Sequence, residues 1–584
     1  MFQSIDAIPD NASYDIIVIG AGGGGLAAAV FAAIAGKSVL VVERTEYVGG
    51  TTALSAATTW IPNSLHASKV ATDDSFEKAA AFLAGVVGNR SSASLREAFL
   101  KSGPDAVAAL EAKTDVKFRP YATHPDYEQQ VEGATMRGRA LEPLPFDGRE
   151  LGDDLARIRP PIPEFTLFGG MMVDRTDIGH LLGLKASWKS FRHAAAILAR
   201  YGLDRLKSPR GTRLVMGNAL IGRLLLSLKK HGGAVLLGTS VSQFLTGADG
   251  VAGVVLAQAG QTRKVEARHG VVLAAGGFNR HKTRRAELLA SPAPDFSPAA
   301  PGHTGEMQDL ALGLGARLGE GNLDNAYWAP VSLRMRPDGS TAVFPHFVLD
   351  RSKPGTVCVD QSGRRFVNES TSYHLFVRAM FEANCSTPTI PCYIITDAAG
   401  LKSYGLGQVR MGAKNLKPYL ADGYLIEGGT VAALAEKLGM VPAILEKTVA
   451  NMNGYARTGI DPEFGRGATA YHRANGDASR GPNPTLGPIA TAPFYAVKLV
   501  PGDIGAATGL VIDEWARVLD GENRPIGGLY ACGNEANSVM GGTYPGPGIT
   551  IGPALTFAYR AIQHALGRRD AATGPASHRA EVAG

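Results

Sequence analysis

An α/β fold is predicted for this chain: a Rossmann-like domain built on a parallel sheet and split by an inserted α+β domain. Three observations predict it. Residues 14–19 (YDIIVI) form a short apolar run suited to a buried parallel strand. A glycine-rich turn and an alanine-rich stretch lead from it to a second apolar run at 38–42. Two later runs, 270–278 (GVVLAAGGF) and 527–534 (GGLYACGN), repeat the pattern of a strand ending in a glycine turn, and the mixed strand and helix patterns between them lack that signal.

The first unit reads Gly20-Ala-Gly22-Gly-Gly-Gly25, with Glu43 closing the second strand 18 residues after Gly25. Each part has a physical job. Gly20 makes the turn, Gly22 lets the backbone approach a pyrophosphate, and Gly25 packs helix on strand. The helix N-terminus then faces the phosphate charge, and Glu43 accepts from ribose hydroxyls. A carboxylate at that point disfavours a 2′-phosphate, so NADP does not fit. Residues 16–36 carry no charge and are long enough to span a bilayer. Four consecutive glycines inside the run favour a strand, a turn and a small-residue helix instead.

After Glu43 comes Gly49-Gly50-Thr51-Thr52-Ala53-Leu54-Ser55, small residues and hydroxyls where a chain passes close to a cofactor. Gly50, Thr51, Thr52 and Ser55 are expected contacts, with Val241, Ala275, Gly276, Gly533, Asn534 and Ile549 further along. Three separated strand–glycine signals imply a long cofactor held by discontinuous segments. They resemble the flavoprotein superfamily of fumarate reductase and 3-ketosteroid dehydrogenase, where the last two segments line the FAD site. The resemblance implies FAD. A covalent flavin in that superfamily needs a histidine near the GGTT segment; none lies between Glu43 and Asn63, so non-covalent FAD is expected.

The expected organisation is a first part of the FAD-binding domain at 1–318, a catalytic cap at 319–488, a second FAD-binding part at 489–566 and a flexible tail at 567–584. Within the cap, 356–359 and 392–396 read as strands, and 431–438 and 441–457 as helices. The cofactor strand resumes after Pro493. An insertion of this kind sets a cap over the flavin, and ligand sites favour such interfaces.

Desaturating a C–C bond beside a ketone needs a base for the α-proton, donors for the enolate oxygen, and a hydride acceptor at the β-carbon. Three segments bear on this: Tyr544-Pro-Gly-Pro-Gly548, Asn368-Glu-Ser-Thr-Ser-Tyr373, and Pro125-Asp-Tyr127 ahead of Glu132-Gly133. They resemble 3-ketosteroid dehydrogenases, and the resemblance spans nearly the whole chain. It implies that the Tyr544 hydroxyl and the Gly548 N–H hold the 3-keto oxygen. Tyr373 becomes the general base, with Tyr127 as its hydrogen-bond partner, help that a tyrosine of ordinary pKa near 10 requires. Pro545 and Pro547 fix φ near −65° and hold the loop before binding. Glu128 stands where relatives often have a second aromatic, so Tyr121 is the alternative to Tyr127.

The function implied is 1,2-dehydrogenation of a 3-ketosteroid A ring, with reoxidation by an external electron acceptor. Alternatives are the same chemistry on another cyclic ketone or at the 4,5-bond. Fumarate reductases grip a dicarboxylate with arginine and histidine in this C-terminal loop; residues 538–552 contain neither. From another class, the alternative is a non-catalytic flavin-binding membrane partner, against which the presence of both Tyr373 and Tyr544 argues.

The composition, 45% hydrophobic and 19% charged over 584 residues, is that of a soluble globular protein. The four cysteines form no C-x-x-C pair, so no zinc, haem or cluster site is expected, and a reducing, cytoplasmic setting fits. Residues 1–10 read as no signal peptide. Residues 185–213 carry a net +7 while the whole chain is +6, so the remainder is about −1. Within this basic insertion (180–213), Trp188, Phe191, Ala195, Leu198 and Tyr201 recur at helical spacing. Two readings stand: an element docking on an anionic membrane surface, on the inner face, or a surface helix whose stripe packs on the protein. No nucleic-acid module accompanies the charge.

Overall fold

The computed structural model describes residues 1–70, 72–348 and 350–567; the expected tail from 568 onward lies outside them. Strand Ala12–Ile19 is central to a nine-stranded sheet, and its last four residues are wholly or almost wholly buried. On one side it pairs in parallel with Val39–Val42, on the other with Gln261–Leu273, which pairs in parallel with Pro525–Ala531. The three apolar runs of the sequence are therefore neighbours. Their strands end level with one another, at Gly20, Ala274 and Cys532, which line one cavity.

The helix Gly23–Ile34 (GGGLAAAVFAAI) buries ten of its twelve residues. Small side chains make that burial possible, because the helix lies between the sheet and two further helices, Met216–Lys230 and Ile551–Ala565. At Gly25 the contact is closest: a Cβ there would stand 1.9 Å from the Gly20 carbonyl oxygen. Only glycine fits that approach.

A second, six-stranded sheet is antiparallel and centres on Phe494–Ala506. Placed after Pro493, this strand is expected to rejoin the cofactor domain; instead its first half pairs with Cys392–Asp397 and its second half with Ala326–Met335. The return to the cofactor sheet comes at Pro525–Ala531. The apolar run at 494–499 suits either sheet, and a strand long enough to serve two successive partners is not encoded in its pattern. The helices Val431–Lys437 and Pro442–Thr458 bury Leu434, Leu445, Val449 and Met452 against this sheet.

In the basic insertion, Trp188–Asp204 is a helix. Its inner face carries Ala194, Asp204 and the half-buried Ile197 and Tyr201. Of the expected stripe, Trp188, Phe191 and Ala195 point outward, joined by Leu203 and Leu206, while Leu198 and Tyr201 are half-buried; Trp188 is 72% and Leu206 79% exposed. The Trp188 and Phe191 rings stack at 5.2 Å. Four of the eight cations are engaged inward: Arg200 with Asp147, Arg213 with Asp177, and Arg205 and Arg210 with backbone carbonyls. Among the described residues, no helix is long and apolar enough to cross a membrane.

Candidate active site

A cavity of about 500 Å³ runs from the strand ends toward the second sheet. Gly20, Gly22, Glu43, Gly50, Thr51, Thr52, Ser55, Val241, Ala275, Gly276, Gly533 and Asn534 all line it, so residues spread over more than 500 positions converge. Gly25 lies beneath as packing. Ile549 departs from expectation: it is buried and faces a separate small void beside Phe557 at the back of the loop.

The wall suits FAD. Nothing lies within 4 Å of where a Gly22 side chain would stand, leaving room at the N-terminus of Gly23–Ile34. That helix end and its free N–H groups favour a phosphate. The Gly23 N–H meets the Thr52 hydroxyl at 3.3 Å. Glu43 accepts from the Ala21 N–H (2.9 Å) and from the Thr45 hydroxyl (2.8 Å), which fixes its carboxylate at the cavity wall. Arg159 lines the cavity and has a buried Nε without a partner among the described residues. A cation so placed matches a pyrophosphate, while Glu535, wholly buried behind the turn at Ala275–Gly277, is not on the wall.

Glu535 and His303 are the residues that sequence reasoning missed. Glu535 follows the quoted GGLYACGN run by one position; burial pushes its carboxyl up to about 7, against the Gly277 N–H at 3.3 Å. His303 Nε2 stands 3.2 Å from the Thr51 hydroxyl, 252 residues away in sequence. Burial pushes its pKa down to about 4, so the ring is neutral at physiological pH. No residue near the GGTT segment in sequence points to it; its setting in Pro301-Gly-His-Thr-Gly305 is the available signal.

At the other end of the cavity, Tyr127, Tyr373 and Tyr544 meet. The Tyr127 hydroxyl donates to that of Tyr373 at 3.4 Å, and the Tyr373 and Tyr544 rings pack edge to face at 5.1 Å. The Tyr127 and Tyr544 rings stack at 5.7 Å. Burial pushes Tyr127 and Tyr373 well above the usual tyrosine value and Tyr544 to about 12. Tyr121 lines the same cavity, but its hydroxyl meets Thr58 at 3.3 Å. Tyr127, not Tyr121, reaches Tyr373.

Each tyrosine is held from behind. Tyr373 opens the helix Tyr373–Asn384, capped by the Ser372 hydroxyl on the Leu375 N–H. The preceding Glu369 is wholly buried between Arg365 (2.8 Å) and Arg466 (3.3 Å), so the N-E-S part of the motif is a buttress for the tyrosine. The Tyr127 N–H donates to the Pro545 carbonyl at 2.8 Å, tying the first segment to the Y-P-G-P-G loop. Its neighbour Asp126 accepts from Trp60 Nε1 (2.9 Å) and pairs with Arg139 (2.8 Å). His374 lies against the Tyr544 ring at 5.7 Å, with Asp324 3.3 Å from its Nε2. Gly548, φ +93°, packs on the Thr58 carbonyl at the cavity wall.

Comparison with known proteins gives the same picture. The FAD binding domain family matches residues 15–551. A 4-oxocyclohex-2-ene-1-carboxylate 5-dehydrogenase of Sinomonas cyclohexanicum is 36% identical, over 94% of this chain and 92% of that protein. A 3-oxosteroid 1-dehydrogenase of Mycolicibacterium smegmatis is 33% identical, over 94% and 96%. The crystal structure of a 3-ketosteroid delta1-dehydrogenase from Sterolibacterium denitrificans, in complex with 1,4-androstadiene-3,17-dione, superposes with a TM-score of 0.89 at 35% identity, covering 96% of this chain and all of that one. An intact dinucleotide cradle, three tyrosines gathered at its far end and relatives matched over nearly their full length carry one conclusion: this chain belongs to the FAD-dependent 3-ketosteroid dehydrogenase family.

Proposed function

We propose that the protein desaturates the ring beside the ketone of a 3-ketosteroid, at the 1,2-bond. The observation that carries the reading is the contact of Tyr127, Tyr373 and Tyr544 in an otherwise largely apolar cavity that also contains the dinucleotide cradle. The Tyr544 hydroxyl and the Gly548 N–H hold the keto oxygen and stabilise negative charge as it develops there, which acidifies the adjacent carbon. Tyr373 takes the α-proton at its phenolic oxygen, and the hydrogen bond donated by Tyr127 stabilises that oxygen when it is charged. The apolar wall excludes water from the enolate. FAD would supply the hydride acceptor, held by the helix N-terminus at Gly22, by Thr52 and by Glu43. Anaerobic bleaching of the flavin by a panel of ketosteroids tests the reading; a panel that leaves the flavin oxidised overturns it.

A second reading is the same chemistry on a one-ring ketone, favoured by the oxocyclohexene carboxylate dehydrogenase at 36% identity. The same panel, extended to cyclohexanones, separates the two.

The basic insertion docks, in this proposal, on an anionic membrane surface. Its support is the outward stripe of Trp188, Phe191, Leu203 and Leu206, together with four exposed cations, Lys185, Lys189, Arg192 and Lys207, that make no ion pair among the described residues. Each such cation contributes about 1 kcal/mol near an anionic leaflet. Ile178, on the helix Arg175–Leu182 that packs against the insertion's helix, also lines the cavity, so a lipophilic substrate would enter from the docked side. Co-sedimentation with anionic vesicles at low salt tests this, with Trp188→Ala and a Lys185, Lys189, Arg192 triple Glu variant; wild type remaining in the supernatant refutes it.

A further inference from the structure

The cavity beyond the tyrosines is lined by Phe165, Met172, Val173, Ile178 and Phe347, with Glu142, Asp174 and the exposed cation Arg175 among them. Its guanidinium stands 5.7 Å from the centroid of the Tyr121 ring. Among the described residues, no hydrogen bond or ion pair joins it to an acid. The acids nearby are already engaged: Glu142 by Arg119 at 2.6 Å, and Asp174 by the Asp177 N–H at 2.9 Å in the helix cap. Burial governs the pKa of Tyr121, Tyr127 and Tyr471, and Arg175 is the cation whose field bears on all three.

The route from this cation to the oxyanion hole is continuous. Arg175 covers the Tyr121 ring, the Tyr121 hydroxyl meets the Thr58 hydroxyl at 3.3 Å, and the Thr58 carbonyl packs on Gly548. A ketone oxygen held at Tyr544 and Gly548 thus leaves the rest of its molecule along a wall that ends at a guanidinium. Arg175 is exposed where it lines the cavity, and a guanidinium with open donors takes a carboxylate bidentately.

We propose that the natural ketone carries a carboxylate and that Arg175 receives it while the keto oxygen occupies the oxyanion hole. This rests on the ring-ketone desaturation proposed above and names the substrate class more narrowly. Two sources share the chemistry: a one-ring keto acid and a steroid with an acidic side chain.

The test uses the FAD-loaded enzyme and two matched pairs: 4-oxocyclohexanecarboxylate with its methyl ester, and a 3-ketosteroid side-chain acid with its methyl ester. In at least one pair the acid should exceed the ester at least tenfold in kcat/KM, through KM, and the pair that does so identifies the ring system. Arg175→Gln should bring that ratio close to one, and Arg175→Lys should keep part of it. Equal kcat/KM within both pairs, or a preference that survives Arg175→Gln, overturns the proposal and leaves the ring-ketone reading standing. No flavin reduction by any of the four ketones overturns both.

Discussion

Gly548→Ala isolates the oxyanion hole. Gly548 has φ +93°, and a Cβ built there would stand 2.3 Å from the Thr58 carbonyl oxygen, 2.5 Å from its carbon and 2.7 Å from the Thr59 nitrogen. All three are backbone atoms of the segment leading into strand Thr59–Trp60, which cannot swing aside as a side chain would. The Gly548 carbonyl also accepts from the Trp60 and Gly552 N–H groups at 3.2 and 3.0 Å, so the residue is pinned on both sides. Relief therefore comes from moving Gly548 itself by about 1 Å, a displacement of the size that costs about 10²-fold in rate when it falls on a catalytic group. Loss of one oxyanion donor costs about 10²–10³, so the two estimates agree. Holding an alanine at positive φ adds on the order of 1–3 kcal/mol of strain, which lowers the thermal midpoint. The assay is kcat/KM with an artificial electron acceptor, alongside flavin content and circular dichroism. A folded, FAD-loaded Gly548→Ala enzyme within threefold of wild type would refute the assignment of this N–H to the keto oxygen.

Tyr373→Phe should abolish flavin reduction while leaving ketosteroid binding largely intact; single-turnover reduction near the wild-type rate removes Tyr373 from the mechanism. Because burial holds Tyr373 and Tyr127 well above the ordinary tyrosine value, the basic form grows with pH, and kcat/KM should climb between pH 7 and 9 without levelling; a plateau from pH 7 contradicts a tyrosine base. Glu535, at about 7 in the fold against 4.5 for a free glutamate, keeps its proton to higher pH when folded, so its burial destabilises the FAD-free protein as pH rises from about 4.5 through 7. By about 1.4 kcal/mol per unit the cost is on the order of 3 kcal/mol; Glu535→Gln should recover it at pH 8 and show almost no gain below about pH 4, and equal gains at both would refute the charge argument. Acid or heat precipitation should release FAD into the supernatant; flavin retained by the precipitate would mean a covalent link.

The cofactor half of the site was legible because its logic is local. A glycine turn after an apolar run constrains the backbone within a few residues, and Gly20, Gly22, Glu43, Gly276 and Gly533 all follow such runs. The tyrosines were legible through motif resemblance alone; no periodicity brings Tyr127, Tyr373 and Tyr544 together. Their meeting depends on the loop Tyr544–Gly548 being tied to Tyr127 through the Pro545 carbonyl, a contact across more than 400 residues. His303 and Arg175 were invisible for the same reason, since each acts on a partner that only the fold supplies. The basic helix marks a different limit. Spacing of 3.6 identifies an apolar stripe but not the side that faces the protein, and here the fully buried positions are Ala194 and Asp204, with Ile197 and Tyr201 half-buried beside them. Asp204 explains how: its carboxylate accepts from the Thr212 N–H and hydroxyl at 2.8 Å each, so a capped turn anchors the helix. With that anchor made by a polar contact and by Arg200 on Asp147, Trp188, Phe191, Leu203 and Leu206 are left outward. An amphipathic pattern read without its polar anchors therefore tends to assign the apolar face to the core, and a single acid among eight cations is the residue to examine before doing so.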